Sequence, residues 1–176
     1  MTTSIVIPVF NSEKILPILI EKIKENIKSN YEIILINDFS KDESWKIIKK
    51  LADKNNNIKG INLKKNYGQH NAIVAGLNHS IGKNIILMDD DLQHDPIYIK
   101  DIISELNNGY EACYVKYIKR KHIFWKKLVS KLNHITSSIL AGKSLDIYAS
   151  SFKGFNKRIC NIIINDQNCE VFLDWL

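Results

Sequence analysis

The chain has 176 residues, of which 45% are hydrophobic and 25% charged, and its formal net charge is +6. This length suits one domain with a substantial core, and the composition is ordinary for a globular protein. No apolar run approaches the ~20 residues that a membrane-spanning helix needs. The three cysteines have no paired metal spacing, and their odd number argues against a disulfide framework. We therefore expect one reduced, cytoplasmic domain.

The chain opens with a strand pattern followed by a helix pattern. Residues 4–10 form an apolar run rich in β-branched side chains, which predicts a buried first strand. Asn11 and Ser12 are candidates to cap the next helix. That helix is expected to begin close to Pro17, because proline fits only in a first helical turn.

The alternation then continues. Residues 31–37 predict a second strand that closes on Asp38, and the turn at residues 38–42 is expected to cap a second helix. Residues 58–63 predict a third strand, and Gly68 turns the chain into a third helix.

Residues 85–88 read as a fourth buried strand and are followed at once by Asp89, Asp90 and Asp91. Pro96 opens another helix, and residues 110–115 predict a fifth strand. Strands that alternate with helices through short connections predict an α/β fold with a parallel sheet covered on both faces. Ligands of such sheets gather beyond the carboxyl ends of the strands, so Asp38 and the three aspartates should face one crevice.

Three adjacent carboxylates repel one another, and a hard divalent cation such as Mg²⁺ or Mn²⁺ removes that conflict. The alternative is a polar loop that caps the helix near Pro96 and needs no metal. Both interpretations stay open on this stretch alone.

The positive charge is concentrated in one segment. Residues 112–145 contain eight basic residues and no acidic one, so this segment carries +8 and the rest of the chain −2. Within it, apolar residues recur at helical spacing beside several lysines: Phe124, Leu128, Leu132, Ile135 and Ile139. A basic amphipathic helix can lie in a membrane interface, but an ordinary surface helix with a solvated lysine face gives the same pattern.

Four segments together, residues 7–11, 32–42, 66–72 and 88–96, resemble family-2 glycosyltransferases in sequence and in order. The nearest subgroup is the polyprenyl-phosphate sugar transferases, which include dolichol-phosphate mannose synthases and bactoprenol-phosphate glucosyl and aminoarabinose transferases. The resemblance implies a three-layer Rossmann-like GT-A fold with a mostly parallel central sheet. It implies one catalytic domain, with a nucleotide-sugar-binding half (1–120) and an acceptor-side segment (121–176) that is truncated at its C-terminus.

The resemblance also assigns residues to the nucleotide-sugar donor. Pro8, Val9 and Asp38 would line the base and ribose, and three further residues would complete the donor site: Asn11, Ser40 and Gln69. Asp89 and Asp91 would hold Mg²⁺ or Mn²⁺ on the sugar diphosphate, with Gln93 as a neutral ligand or as a hydrogen-bond partner of one. Asp90 would serve only as spacing or packing.

For the acceptor, the resemblance points to four residues that would bind a lipid phosphate: Arg120, Lys127, Ser130 and Lys131. Asp89, Asp91, Arg120 and Lys131 would then be the catalytic residues. A phosphate acceptor is already an anion and needs cations, not a general base, to approach the donor. Two positions depart from the subgroup, which often has Glu where Ser12 stands and Arg near Tyr117.

The expected activity is metal-assisted, inverting sugar transfer from a nucleotide diphosphate sugar to polyprenyl phosphate, by a protein peripheral to the inner face of the membrane. Alternatives are a family-2 transferase acting on a saccharide acceptor, a non-catalytic nucleotide-sugar binder and a nucleic-acid-binding module. We expect no nucleic-acid partner, because the acidic cluster would repel a polyanion, and a homo-oligomer is left open. A dinucleotide-binding Rossmann enzyme is disfavoured, because no glycine follows the first strand.

Overall fold

The computed structural model describes residues 2–115 and 151–165. The first part contains β1 (Thr3–Val9), α1 (Leu16–Asn26), β2 (Tyr31–Asn37), α2 (Ser44–Lys54), β3 (Ile58–Asn62), α3 (Gln69–Asn78) and β4 (Asn84–Leu87). A 3₁₀ turn (Pro96–Tyr98) then leads into α4 (Ile99–Asn107) and β5 (Ala112–Tyr114). The second part contains β6 (Lys153–Asn156) and α5 (Lys157–Asn165).

Six strands form one sheet in the order β3-β2-β1-β4-β6-β5. The pairs β2–β3, β1–β2 and β1–β4 are parallel, whereas β6 runs antiparallel to both of its neighbours, β4 and β5. The expected mostly parallel α/β sheet is confirmed. The parallel strands bring the ends of β1, β2 and β4 to one edge, which is where the acidic residues follow.

Helices cover both faces of this sheet. On one face, Val6 and Ile36 pack in a fully buried cluster with residues of α3 and α5, including Leu77 and Cys160. On the opposite face, Gly154 of β6 lies so close to α4 that an added Cβ would stand 2.2 Å from Ile102 Cγ2. Burial on both faces explains why β1 and β2 are apolar almost throughout.

The loop after β1 differs from the sequence-based expectation. Asn11 and Ser12 do not cap α1, whose N-cap residue is Ile15 and has no side-chain capping bond. Ser12 contributes to the start of the helix through its backbone carbonyl, which accepts hydrogen bonds from the N–H groups of Ile15 and Leu16. Pro17 does lie in the first turn, as predicted.

Within the part of the chain that the structure describes, no helix is long and apolar enough to cross a membrane. Of the cysteines among the described residues, Cys113 and Cys160 are both free thiols. The predicted amphipathic helix with its lysines lies outside the described residues.

Candidate functional site

A cleft of about 360 Å³ opens at the carboxyl ends of β1, β2 and β4. It is lined by Pro8, Val9, Phe10, Asp38, Asn66, Gly68, Gln69, Asp89, Asp90 and Asp91. The two acidic strand ends therefore share one crevice, as the parallel sheet predicted. Of the residues assigned to the donor, Pro8, Val9, Asp38, Gln69, Asp89 and Asp91 all lie in this lining.

Asp38 is buried and joins the end of β2 to the turn before α3. Its Oδ1 accepts from the N–H of Tyr67 at 2.8 Å, and its Oδ2 accepts from the N–H of Gly68 at 2.9 Å. Gly68 has φ +86°, a conformation that favours glycine. Each carboxylate oxygen can accept a second hydrogen bond, so Asp38 keeps the capacity to bind a hydroxyl or base N–H in the cleft.

Asp89 is held by neighbours from three parts of the chain. Its Oδ1 accepts from Gln69 Nε2 at 2.7 Å, and its Oδ2 lies 3.6 Å from His94 Nε2. Burial raises the pKa of this carboxyl, but His94, Ser151 and Gln69 outweigh burial and hold the pKa below its ordinary value. Asp89 is therefore ionised at neutral pH, the form that a metal ion requires.

His94 was given no role by sequence reasoning, yet it supports this arrangement. The side chain is buried, Nε2 lies 2.8 Å from Ser151 Oγ, and the ring packs on Phe152 with 5.6 Å between centroids. Its place within the resembling segment 88–96 was the only signal. The contact with Ser151, 57 positions along the chain, has no signature in the sequence.

Asp90, expected to serve as spacing or packing, forms hydrogen bonds to the loop after β1. Its Oδ2 accepts from the N–H of Phe10 at 3.0 Å and from Ser12 Oγ at 2.5 Å. Burial raises the pKa of Asp90 above its ordinary value, although the bonds to Ser12 and Phe10 oppose the rise. This carboxyl joins the end of β4 to the end of β1.

Asp91 is the exposed member of the cluster. Its Oδ1 accepts from the backbone N–H of Gln93 at 2.9 Å, and its Oδ2 has no hydrogen-bond partner among the described residues. The Gln93 side chain is exposed and is absent from the cleft lining. Gln93 therefore contacts Asp91 through its own backbone N–H and not through its side chain.

Asn11 and Ser40 connect the loops after β1 and β2. The N–H of Asn11 donates to Ser40 Oγ at 3.0 Å, and Asn11 Oδ1 accepts from the N–H of Lys41 at 2.8 Å. Neither residue is in the cleft lining. Their observed contacts fix the loops that border the site.

The described residues contain no group of three or more His, Cys, Asp or Glu arranged as a metal site. Mg²⁺ needs no such group, since one or two carboxylates commonly hold it while phosphate oxygens and water fill the remaining positions. Asp89 is ionised and Asp91 has an open oxygen, and both line the cleft. This donor set fits a divalent cation shared with a diphosphate.

The four residues assigned to the acceptor phosphate, Arg120, Lys127, Ser130 and Lys131, lie outside the described residues. Tyr117 lies there too.

Comparison with known proteins gives consistent matches. Residues 4–163 match the family described as Glycosyl transferase family 2. An undecaprenyl-phosphate 4-deoxy-4-formamido-L-arabinose transferase of Proteus mirabilis (strain HI4320) is 31% identical over 97% of this chain and 53% of that protein. The protein of the same name from Yersinia enterocolitica serotype O:8 / biotype 1B is 33% identical over the same shares of both chains. The chain spans about half the length of the curated relatives that it matches.

Solved structures show the same architecture. S. aureus TarS 1–349 in complex with UDP matches with a TM-score of 0.67 at 18% identity, covering 99% of this chain and 53% of that one. Glucosyl-3-phosphoglycerate synthase from Mycobacterium tuberculosis, with Mn²⁺, UDP-glucose and phosphoglyceric acid, has a TM-score of 0.67 at 15% identity. That match covers 90% of this chain and 57% of the other. At these identities the likeness shows the fold alone, and the fold is GT-A. By its sequence match over residues 4–163, the chain belongs to glycosyl transferase family 2.

Proposed function

We propose that this chain carries the catalytic domain of an inverting glycosyltransferase that moves a sugar from a nucleotide diphosphate sugar to a polyprenyl phosphate. The observation that carries the proposal is the cleft in which Asp38 and the three aspartates after β4 come together. The acceptor is inferred from the relatives named as undecaprenyl-phosphate transferases, whose similarity extends over 97% of the chain.

The donor occupies the cleft with its nucleoside toward β1 and β2. Pro8 and Val9 supply apolar contact for the base, and Asp38 accepts hydrogen bonds from the ribose or base. The diphosphate then extends toward the end of β4, where Asp89 and Asp91 lie. In this proposal residues 1–120 bind the donor and residues 121–176 form the acceptor side.

Asp89 and Asp91 are the residues that would hold a Mg²⁺ or Mn²⁺ ion, with Gln93 beside Asp91. When bound, the ion supplies positive charge that stabilises the departing nucleoside diphosphate. Gln69 and His94 fix the Asp89 carboxylate in place and keep it ionised. Holding this carboxylate rigid lowers the reorganisation needed when the diphosphate binds.

The transfer is a single displacement. An oxygen of the acceptor phosphate bonds to the anomeric carbon while the bond from that carbon to the diphosphate oxygen breaks, so the configuration inverts. The acceptor needs no proton removed, and Arg120, Lys127, Ser130 and Lys131 neutralise and orient its phosphate. A polyprenyl chain resides in a bilayer, so we place the protein at a membrane surface.

The test of the donor site is binding with and without Mn²⁺. We expect UDP or GDP with Mn²⁺ to raise the melting temperature, and Asp91→Ala to abolish the metal-dependent part of the shift. Asp101→Ala is the control, because this exposed aspartate lies on α4 and outside the cleft lining. The proposal fails if no nucleoside diphosphate shifts the melting temperature of the wild-type chain.

A further inference from the structure

Asp90 lies between the two aspartates assigned to the metal, yet its contacts point away from them and toward β1. Its Oδ2 accepts from both the Phe10 N–H and the Ser12 hydroxyl. We propose that Asp90 is a positioning residue that couples the nucleoside side of the cleft to its metal side. This inference rests on the proposed function of the cleft.

The loop that Asp90 holds forms part of the nucleoside side. Phe10 lines the cleft directly after Val9, and the Ser12 side chain is buried. The Ser12 N–H donates to Ser44 Oγ at 2.9 Å, and Ser44 is the fully buried first residue of α2. The loop is therefore fastened to α2 on one side and to Asp90 on the other.

The two bonds to Asp90 are the only hydrogen bonds, among the described residues, between the loop at residues 10–12 and the loop at residues 89–93. Each loop has other attachments: Asn11 to Ser40 on one side and Asp89 to Gln69 on the other. Removing Asp90 would leave each loop tied to its own neighbours, and β1 paired with β4, but it would remove the hydrogen bonds between the two loops.

This arrangement predicts a coupling between two ligands. A nucleoside diphosphate touches both sides of the cleft, with its base against the β1 loop and its phosphates beside Asp89 and Asp91. When the two loops are held at a fixed separation, metal binding prepares the site for the diphosphate, and the diphosphate does the same for the metal. When the separation of the loops is not fixed, each ligand still makes its own contacts, but the factor by which one ligand tightens the binding of the other falls.

The observable is the factor by which saturating Mn²⁺ tightens the binding of UDP or GDP, whichever binds the wild-type chain more tightly. Isothermal titration in the presence of Mn²⁺ and in the presence of EDTA gives this factor. We expect Asp90→Ala to lower it about fivefold or more, the smaller end of ordinary coupling between sites. Ser12→Ala should lower it less, because the bond from the Phe10 N–H remains.

Asp90→Asn separates positioning from charge. Its side-chain oxygen can accept both bonds while the negative charge is lost, so we expect the factor to stay within about twofold of the wild type. Glu32→Ala is the matched control: Glu32 also accepts from one serine hydroxyl and one backbone N–H, those of Ser4 and Ile81, but it lies outside the cleft lining. We expect it to leave the factor unchanged even if the melting temperature falls.

The inference is overturned if Asp90→Asn loses as much coupling as Asp90→Ala, since Asp90 would then act through its charge. An unchanged factor in both Asp90→Ala and Ser12→Ala also overturns it. If Asp90→Ala does not fold, Ser12→Ala and Asp90→Asn still decide between these outcomes. A wild-type chain that binds no nucleoside diphosphate refutes the proposed function instead, so the two failures are distinguishable.

Discussion

Glu32 is a buried carboxylate at the end of the sheet opposite the cleft. Its Oε1 accepts from the Ser4 hydroxyl and from the N–H of Ile81, and Lys59 Nζ lies 2.8 Å from its Oε2. Burial raises the pKa of this carboxyl, but the Ile81 N–H, Lys59 and Ser4 outweigh burial and bring the pKa below its ordinary value. Oε1 thus accepts two hydrogen bonds and Oε2 is paired with the Lys59 charge, so Glu32 stabilises the fold.

This pKa shift has a definite effect on stability against pH. Because the folded-state pKa of Glu32 is below the unfolded value of about 4.3, the ionised carboxylate stabilises the fold above about pH 4.3. That stabilisation is lost as the pH falls from there through the folded-state pKa. Glu32→Gln should therefore flatten the acid side of the curve of melting temperature against pH. At pH 7 it should cost about 1–3 kcal/mol of unfolding free energy, since it breaks a buried charged network.

The measurement is thermal unfolding by circular dichroism from pH 2 to pH 8. Glu25→Gln is the control, because Glu25 is an exposed residue of α1 with no hydrogen bond or ion pair among the described residues. Equal acid sensitivity in the wild type and in Glu32→Gln would contradict the role given to this carboxylate.

Hydrogen bonds between side chains far apart in the sequence could not be predicted, whereas the positions of residues at strand ends could. The sequence placed Asp38 and the aspartates after β4 correctly, because a strand end is a local pattern and parallel strands end at one edge. Ser12 was interpreted as a helix cap, because a serine after a strand commonly is one, and its partner Asp90 lies 78 positions away. Long-range side-chain pairs leave no periodic trace in one sequence.

Among the elements, α3 sets the position of Gln69 and so of Asp89. It packs on the sheet at Gly76, where an added Cβ would lie 2.5 Å from Val6 Cγ1 and 2.6 Å from Ile36 Cδ1. Alanine in place of a mid-helix glycine ordinarily stabilises by about 0.5–1 kcal/mol. Here the methyl group has no space, so the helix must move away from the sheet.

We expect Gly76→Ala to lower the unfolding free energy by about 1–3 kcal/mol, because overpacking outweighs the gain in helix propensity. Combining it with Ile36→Val, which removes the Cδ1 atom in the way, should recover part of that loss. A denaturation cycle over the wild type, the two single variants and the double variant measures the coupling. Additive effects in this cycle, or a more stable Gly76→Ala, would show that the helix does not press on the sheet as described.

The elements themselves were largely predictable, whereas their arrangement was only partly so. Apolar runs identified β1 to β4, and helical spacing with Pro17 and Pro96 identified α1 and the turn into α4. The position of β6 between β4 and β5 could not be read from the sequence. A four-residue strand with one glycine has little pattern of its own. Its contacts are with residues far away in the chain: Phe155 packs in the core cluster on one face of the sheet, and Gly154 packs against Ile102 on the other.

On the scale of the whole molecule, the positive charge is concentrated in one segment, which spans the boundary between the two proposed halves. Residues 112–145 carry +8 and the rest of the chain −2, while the cleft is lined by four aspartates. A donor that arrives with a metal ion suits an acidic cleft, and an anionic lipid headgroup suits the basic segment. The proposal assigns one substrate to each half, and this assignment can be tested by separating their effects.

The variant Lys127→Ala/Lys131→Ala should raise the KM for undecaprenyl phosphate about tenfold or more, since each charge-assisted bond to phosphate is worth about 1.5–3 kcal/mol. Its affinity for the nucleoside diphosphate with Mn²⁺ should stay at the wild-type value. Lys22→Ala/Lys54→Ala is the matched control, because it removes the same charge from exposed positions on α1 and α2. The KM is measured from sugar transfer to undecaprenyl phosphate in detergent micelles, and the affinity for the nucleoside diphosphate is measured by isothermal titration. An equal rise in KM for the control variant would show that the effect comes from net charge alone. A loss of nucleotide binding in Lys127→Ala/Lys131→Ala would contradict the acceptor role of these lysines.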